Sequence, residues 1–375
     1  MNFDFSDELK QLQGEAGKFL ARSAVKPMVR LALEGAPYDP SLWQTMASMG
    51  WTGAAIPESH GGSGMGHLAV CVLAEQIGYA AAPVPFSSSV CLATQALVAF
   101  GSPSQQERWL PRLASGDAVG TFAVTEGPGP IALSRIEARV EHGRLRGVKL
   151  PVPDGEIADF AIVVAHDDAG CLLQLVDLTG AGITRTPLPS LDRSRPLSRI
   201  AFDAAAAEPL GGASGWNAVR LLMDRAAVMM AFEQIGGAQA ALEMARDYAL
   251  QRYAFGRPIG SFQAIKHKLA DVYVAIELAR SSAYYGAWAL DSNAPELPVA
   301  AAAARIAATD AAWLATKENI QTHGGMGYTW ELDCHLYYRR AKHQALALGG
   351  AREWKRRLAD QISPRSAGHA PAQAL

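Results

Sequence analysis

The order of hydrophobic patterns along the chain constrains its fold more than any other feature of the sequence. From Ser6 to about Gly116, apolar residues recur at helical spacing. Short β-like runs follow from about Thr121, separated by Gly, Pro and Asp turn residues. After a glycine-rich break at 211–215, helix-forming sequence continues almost to the end. These patterns predict an α+β protein that is mainly α, in the order α, β, α.

The same patterns divide the chain into four segments. We predict an N-terminal helical domain (1–118), a middle β domain (119–210), a C-terminal helical domain (211–365) and a flexible tail (366–375). The chain has 375 residues, of which 49% are hydrophobic and 19% are charged. A chain of this size and composition can bury a large core and also subunit interfaces.

Composition and charge argue against several kinds of partner. A formal net charge of -2 offers no basic excess for a phosphate backbone, so nucleic acid is not an expected partner. The start, MNFDFSDELKQL, lacks the regions of a signal peptide, and no apolar stretch predicts a membrane span, so we expect a cytoplasmic protein. The four cysteines are far apart and form no CxxC pair, so no metal site is predicted.

The strongest local signal is the segment 245–271, which reads ARDYALQRYAFGRPIGSFQAIKHKLAD. It predicts a helix that ends at a turn of the form RxxFG and continues into a second helix. Arg252 offers a planar fork for a pyrophosphate, and the glycine of the turn lets a ligand approach the backbone. An arginine in this setting is also commonly a surface ion-pair residue.

A second signal is the segment 321–331, which reads QTHGGMGYTWE. Its glycines can turn consecutive N–H groups towards an anion, and Gln321 can hydrogen-bond a ring or a ribose. The alternative interpretation is a loop that only terminates a helix.

In this order and spacing, the two motifs resemble those of acyl-CoA dehydrogenases. The segments GWTGAAIPESHGGSG (50–64), LAEQIGYA (73–80) and QQERWLPRLASGDAVGTFAVTE (105–126) are also similar to that family. The resemblance implies an N-terminal helical domain, a middle β domain and a C-terminal four-helix bundle. It also implies FAD as cofactor, an acyl-CoA substrate, an electron-transfer flavoprotein as electron acceptor, and a tetramer built from two dimers.

In the resembling family, a glutamate removes the α-proton of the acyl thioester while flavin takes a hydride from the β-carbon. The position of that glutamate is occupied here by Gly349, within Leu348-Gly349-Gly350-Ala351. Some members place the glutamate on the helix before RxxFG, and gapless counting puts that position at Ala226. Asp224 should face away from it, and Glu233 lies about 10 Å along the helix. Glu233 is the better candidate base, although a buried helix carboxylate is more often paired structurally.

The resemblance places flavin contacts of the β domain at Phe122, Val124 and Thr125. The family's T-E-P-x-x-G-S-D loop corresponds to 125–132 here, and it lacks the serine and the aspartate. The segment Trp-x-Thr, which covers the flavin ring in the family, is matched by Leu150-Pro151-Val152. The side of the site that holds the flavin ring is therefore degraded.

The residues that one subunit of the family donates to its neighbour's FAD are retained: Arg252, Phe255, Gln263, Gln321, Gly324 and Gly325. We therefore expect one subunit of a heteromeric acyl-CoA dehydrogenase, whose related partner contains the flavin ring and the base. Two alternatives are a homo-oligomer that uses Glu233, Asp224 or water, and a non-catalytic structural or regulatory subunit. The acyl group stays open, since the small residues at 236–238 suit either a long chain or a bulky ring system.

Overall fold

The computed structural model describes residues 5–36 and 40–363. The predicted tail (366–375) lies outside the described residues. The α-helices are α1 (Asp7–Arg22), α2 (Val25–Glu34), α3 (Pro40–Ser48), α4 (Gly66–Ala80), α5 (Phe86–Ser88), α6 (Thr94–Phe100), α7 (Pro103–Ala114), α8 (Gly215–Gln251), α9 (Gln263–Asp291), α10 (Leu297–His323), α11 (Cys334–Leu346) and α12 (Ala351–Ile362).

The strands lie between α7 and α9, and most of them form one sheet. They are β1 (Gly120–Ala123), β2 (Arg139–Glu141), β3 (Arg144–Pro153), β4 (Phe160–Asp167), β5 (Gly170–Asp177), β6 (Ile183–Leu188), β7 (Leu197–Ala206), β8 (Glu208–Ser214), β9 (Tyr253–Ala254) and β10 (Arg257–Pro258). The first eight strands make a sheet of order β6-β7-β3-β2-β4-β5-β8, in which β1 also pairs with β4. Strands β9 and β10 form a separate hairpin.

Strand β4 is the most deeply buried strand of the sheet. Its residues from Phe160 to Ala165 are all fully buried. It pairs antiparallel with β5 along its whole length, while β1 and β2 pair with it in parallel. A strand buried on both faces requires a continuous apolar run, which the sequence FAIVVA supplies.

The N-terminal helices pack directly against this sheet. The ring of Trp109 on α7 lies 4.5 Å from the ring of Phe160 on β4. Helix α7 begins at a capping box, because Ser102 Oγ accepts from Gln105 N and Gln105 Oε1 accepts from Ser102 N. The amide of Gln105 also donates to Pro209 O on β8 at 2.9 Å. One side chain thus starts the helix and joins it to the sheet.

The long helices form the C-terminal part of the molecule. Helix α8 has 37 residues, and at 1.5 Å per residue it is about 55 Å long. It packs against α9, α10 and α11, and α4 of the N-terminal part crosses it. At this crossing, a β-carbon at Gly236 would lie 1.9 Å from Glu75 O, and one at Gly78 would lie 1.9 Å from Glu233 O. Gly236 therefore permits close contact between two helices and leaves no room there for an acyl group.

The mainly helical α+β fold predicted from the sequence is confirmed. N-terminal helices, a central sheet and a C-terminal helical bundle follow one another, and α12 adds a short final helix. Strand β8 continues to Ser214, four residues beyond the predicted boundary at 210. The four domain bounds themselves stay a prediction. In the described part of the chain, no helix is both long and apolar enough to cross a membrane.

Candidate functional site

The RxxFG motif forms an exposed hairpin immediately after α8. Strands β9 and β10 pair through Ala254 and Arg257, so Phe255 and Gly256 are the two residues of the turn. Both have positive φ, 52° for Phe255 and 77° for Gly256, as the favoured two-residue hairpin turns require. A bulky residue rarely adopts this conformation. The turn presents Phe255 to solvent with 96% of its surface exposed.

Arg252 lies at the base of this hairpin and lines an open cavity of about 530 Å³. Gly324 and Gly325, from the glycine-rich turn after α10, line the same cavity. A β-carbon added at either glycine would meet nothing within 4 Å, so their backbone faces open space. The structure thus brings Arg252 together with two adjacent glycines that are far from it in the sequence. A guanidinium beside exposed backbone suits a phosphate group.

Two stacked rings form the wall of this cavity next to Arg252. The rings of Tyr248 and His323 lie 4.2 Å apart with an angle of 29° between their planes. Nδ1 of His323 lies 2.8 Å from Asn319 O, one turn earlier in α10. This hydrogen bond fixes the orientation of the imidazole ring, so the cavity has a flat aromatic wall as well as a cation.

A single arginine of the N-terminal helices holds the segment that follows the glycine-rich turn. Arg30 on α2 donates to the carbonyl oxygens of Trp330 and Glu331, and its Nη2 lies 2.7 Å from Asp333 Oδ1. Its guanidinium also lies over the ring of Trp330, 5.5 Å from the centroid. These contacts fix the end of the loop that starts with Gly324. No local motif marks Arg30, so its contacts with this loop could not be predicted from the sequence.

The other predicted residues of the donated group lie at the surface outside this cavity. Gln263 is the first residue of α9, and Gln321 is in the last turn of α10. Both side chains are exposed, as is Phe255, whose ring contacts that of Phe262 at 6.2 Å. The structure therefore places Arg252, Gly324 and Gly325 together and leaves Phe255, Gln263 and Gln321 available to another molecule.

The residues predicted to contact the flavin ring lie in the β domain. Phe122 is in β1, Val124 follows it, and both are buried. The hydroxyl of Thr125 donates to Pro151 O at 3.0 Å, and Thr125 O accepts from Leu150 N at 2.9 Å. The loop after β1 is thus joined by hydrogen bonds to the part of β3 that replaces Trp-x-Thr.

A buried ion pair that was not predicted joins the same two segments. Nζ of Lys149 on β3 lies 2.6 Å from Oε1 of Glu126, and the lysine side chain is fully buried. Burial lowers the pKa of Lys149, while Glu126 opposes this shift. Glu126 also accepts from the N–H groups of Glu137 and Ala138. In the sequence, this ion pair is indicated only by a lysine within the otherwise apolar strand segment VKLPV.

The carboxylates considered as bases are both engaged by arginines. Glu233 is buried and forms an ion pair with Arg195, and its Oε1 lies 3.7 Å from Arg340 Nη1. Asp224 is also buried, with Oδ1 2.5 Å from Arg357 Nη2. Burial raises the pKa of Asp224 to about 7, and Arg357 opposes the shift. These contacts favour structural pairing of both carboxylates over proton transfer.

Comparisons with known proteins agree with this architecture. Residues 6–117 match the N-terminal domain of acyl-CoA dehydrogenases, and residues 213–362 match the C-terminal domain. Acyl-CoA dehydrogenase IpdE2 of Mycobacterium tuberculosis is 35% identical over 359 residues, which cover 95% of this chain and 98% of the relative. The chain belongs to the acyl-CoA dehydrogenase family. It is an enzyme of the class that oxidises CH–CH bonds, with FAD as its cofactor.

Two solved structures of the family are similar over almost the whole chain. One is a variant of the Tcur3481-Tcur3483 steroid ACAD, with a TM-score of 0.89, 32% identity, and coverage of 96% of this chain and 99% of that one. The other is the ChsE4-ChsE5 complex from Mycobacterium tuberculosis, with a TM-score of 0.87, 29% identity, and coverage of 99% of this chain and 100% of that one. The second of these relatives is a complex of two different proteins.

The charge and the open backbone of the cavity suit one part of FAD, its diphosphate. A diphosphate carries negative charge and hydrogen-bond acceptors that the guanidinium of Arg252 can bind, and the open space beside Gly324 and Gly325 lets it approach the backbone. The rings of Tyr248 and His323 supply a flat surface beside it.

Proposed function

We propose that this chain is one subunit of a heteromeric acyl-CoA dehydrogenase. A related partner subunit would hold the flavin ring and carry the catalytic glutamate, and this chain would bind the diphosphate and adenine end of the same FAD. The complex would convert an acyl-CoA to the 2,3-enoyl-CoA and pass the electrons to an electron-transfer flavoprotein.

The observation that carries this proposal is the contrast between the two halves of the site. Arg252, Gly324 and Gly325 converge on an open cavity. In contrast, the position of the family's glutamate is Gly349, and the loop from Thr125 is hydrogen-bonded to Leu150 and Pro151. The cavity lined by Arg252, Gly324 and Gly325 is thus open to a ligand. The half of the site that would hold the flavin ring lacks a carboxylate at position 349.

Within the complex, each group of this chain has a binding or positioning task. Arg252 binds the diphosphate, and the backbone at Gly324 and Gly325 approaches it closely. Phe255, Gln263 and Gln321 extend from the exposed surface towards the partner subunit. Arg30 fixes the loop after Gly325. FAD supplies the hydride acceptor of the reaction when it is bound, whereas the proton acceptor would be the carboxylate of the partner.

We further propose a bulky polycyclic acyl-CoA of the steroid type as the substrate class. Two similarities support this proposal: one solved relative is a steroid ACAD, and the other is the ChsE4-ChsE5 complex. Because the base and the flavin ring would lie in the partner subunit, the partner's pocket would set most of the preference for the acyl group.

The visible absorption spectrum tests the proposal. We expect the chain purified alone to be colourless, and the chain co-expressed with a glutamate-bearing relative to carry flavin. Anaerobic addition of a panel of thioesters, from butyryl-CoA to a steroid side-chain CoA, should bleach the flavin of the complex. Replacing the partner's glutamate by glutamine should abolish the bleaching while the flavin stays bound.

Two other outcomes would contradict the proposal. If the chain alone carries flavin that an acyl-CoA bleaches, it is a self-sufficient dehydrogenase. If the complex carries flavin and Arg252→Ala in this chain leaves its content and its turnover unchanged, this chain contributes no part of the cofactor site and is a structural subunit.

A further inference from the structure

The turn that carries Gly349 is held in place from three sides. Arg305 donates to Ala347 O at 2.6 Å, and the indole N–H of Trp354 donates to Leu348 O at 3.0 Å. Gly349 N donates to Leu346 O, and Gly349 has a φ of 91°. Arg305 and Trp354 are buried. A side chain introduced at position 349 is therefore directed to one fixed place, because the backbone has little freedom to rotate it away.

That place is occupied by the carboxylate of Glu353. A β-carbon added at Gly349 would lie 2.5 Å from Oε2 and 2.9 Å from Cδ of Glu353. Real β-carbons essentially never come closer than 3.0 Å to another heavy atom. A β-carbon at position 349 would therefore require the carboxylate of Glu353 to move, in addition to the strain that a φ of 91° imposes on a residue other than glycine. The carboxylate lies where the side chain of the family's base would start.

The same carboxylate closes the loop of the flavin side. Oε2 of Glu353 accepts from the backbone N–H of Ile131 at 3.2 Å, and Ile131 belongs to the altered loop 125–132. The residue is 9% exposed. A glutamate in the first turn of a helix is favourable for electrostatic reasons alone. That effect does not require burial or a contact with a distant loop, and both are present here.

A guanidinium and a second carboxylate connect the helix of Glu353 to α8. Arg357, one turn after Glu353 on α12, lies 2.5 Å from Oδ1 of Asp224. Burial raises the pKa of the Glu353 carboxyl, and the nearby charge of Arg357 opposes this shift. These contacts join α12 to the loop at Ile131 through Glu353 and to α8 through Arg357 and Asp224.

We propose that the carboxylate of Glu353 fills the place beside Gly349 that the side chain of the family's base would take, and that it thereby blocks acyl-CoA binding at this chain's own site. The proposal rests on the heteromeric function proposed above and adds a reason why only the partner's site works. The carboxylate would hold α12 to the loop at Ile131. The space beside Gly349 in this chain would then stay occupied, so that acyl-CoA and the flavin ring bind only in the partner's site. Glu353 is thus a positioning residue and takes no proton from a substrate.

A thermal double-mutant cycle on the purified chain, alone and in the complex, tests the steric part of this proposal. Gly349→Ala should lower the melting temperature in the wild-type background and lower it less in the Glu353→Ala background, where the colliding carboxylate is gone. Gly61→Ala is the matched control, because Gly61 also has positive φ but a β-carbon there meets nothing within 4 Å. Equal decreases for Gly349→Ala in both backgrounds would overturn the proposal.

The turnover number of the complex tests whether Glu353 takes part in the reaction. Glu353→Gln keeps the shape of the side chain, so the complex should fold, and we expect its kcat and its pH profile to stay unchanged. If kcat falls by about a hundredfold or more at an unchanged melting temperature, as loss of a general base predicts, Glu353 is a catalytic base and the proposal fails. The thermal cycle does not depend on flavin or turnover. It therefore separates failure of this proposal from failure of the heteromeric function.

Discussion

Glu233 on α8 forms an ion pair with Arg195, and both side chains are buried inside the molecule. Arg340 on α11 approaches the same carboxylate oxygen at 3.7 Å, and its Nε lies 2.6 Å from Asp192 Oδ2. Two guanidiniums and two carboxylates therefore balance one another in the interior. Removing one member leaves a buried charge without compensation, which is far costlier than the loss of a surface pair.

Glu233→Gln should lower the free energy of unfolding by about 3–5 kcal/mol, because Arg195 would lose its ionic partner while staying buried. Urea unfolding measures this change. The exposed Glu107→Gln is the control, and its effect should be within about 0.5 kcal/mol. We expect turnover per folded complex to stay unchanged in both variants. Full stability combined with loss of turnover in Glu233→Gln would instead identify Glu233 as the base.

Arg252→Ala should weaken the retention of FAD by the co-expressed complex. A hydrogen bond to a charged group contributes about 1.5–3 kcal/mol, which corresponds to about tenfold or more in affinity. The ratio of flavin absorbance to protein absorbance after dilution and gel filtration measures the retention. Arg246→Ala is the control, since Arg246 is exposed on the preceding turns of α8 and pairs with Asp247. Equal flavin contents in the two variants would contradict the role given to Arg252.

Gly78→Ala should destabilise the protein, because the new β-carbon would lie 1.9 Å from Glu233 O at the crossing of α4 and α8. Inserting a methyl group into a packed core typically costs about 1–3 kcal/mol. At Gly78 the atom that the methyl group would meet belongs to the backbone of α8, which cannot rotate away as a side chain can. Gly14→Ala on α1 is the matched control, because a β-carbon there meets nothing within 4 Å. That substitution should stabilise the helix by about 0.5–1 kcal/mol. Thermal unfolding of both variants distinguishes steric exclusion from helix propensity.

Much of the fold could be predicted because its signals are local. The buried run at β4 reads as a continuous apolar strand, and the helical segments have their own periodicity and caps. The cavity residues Arg252, Gly324 and Gly325 were also found from local motifs. Their convergence was not visible in any one segment, since it depends on how α8 and α10 pack together.

The contacts between distant parts of the chain that fix the loops of the site could not be predicted in this way. Glu353 bonds to Ile131, which lies 222 residues earlier, and Arg30 bonds to Glu331, 301 residues later. Such pairs follow from the tertiary arrangement and leave no periodic signal. The close helix crossing at Gly236 could not be predicted for the same reason. A glycine in a helix sequence suits both a pocket and a close helix crossing, and only the position of α4 decides between them.

The buried amine of Lys26 predicts how stability changes with pH. Its Nζ donates to Ala80 O at 2.9 Å and to the hydroxyl of Tyr337. Burial lowers the pKa of Lys26 from 10.5 to about 7. Below the lowered value, the folded and unfolded chains both carry the proton, so the cost of burying the charge is fully present. Above it, the folded chain has released the proton while the unfolded chain still binds one, so stability rises with pH.

Lys26→Met removes this titration while keeping a side chain of similar length. From about pH 7 to about pH 9, the urea midpoint of the wild type should therefore rise relative to that of Lys26→Met. The comparison is made at one protein concentration, because subunit association also affects the midpoint. Lys18→Met, which removes an exposed amine paired with Glu15, should run parallel to the wild type over this range. A constant difference between wild type and Lys26→Met would mean that Lys26 keeps its ordinary pKa in the folded chain.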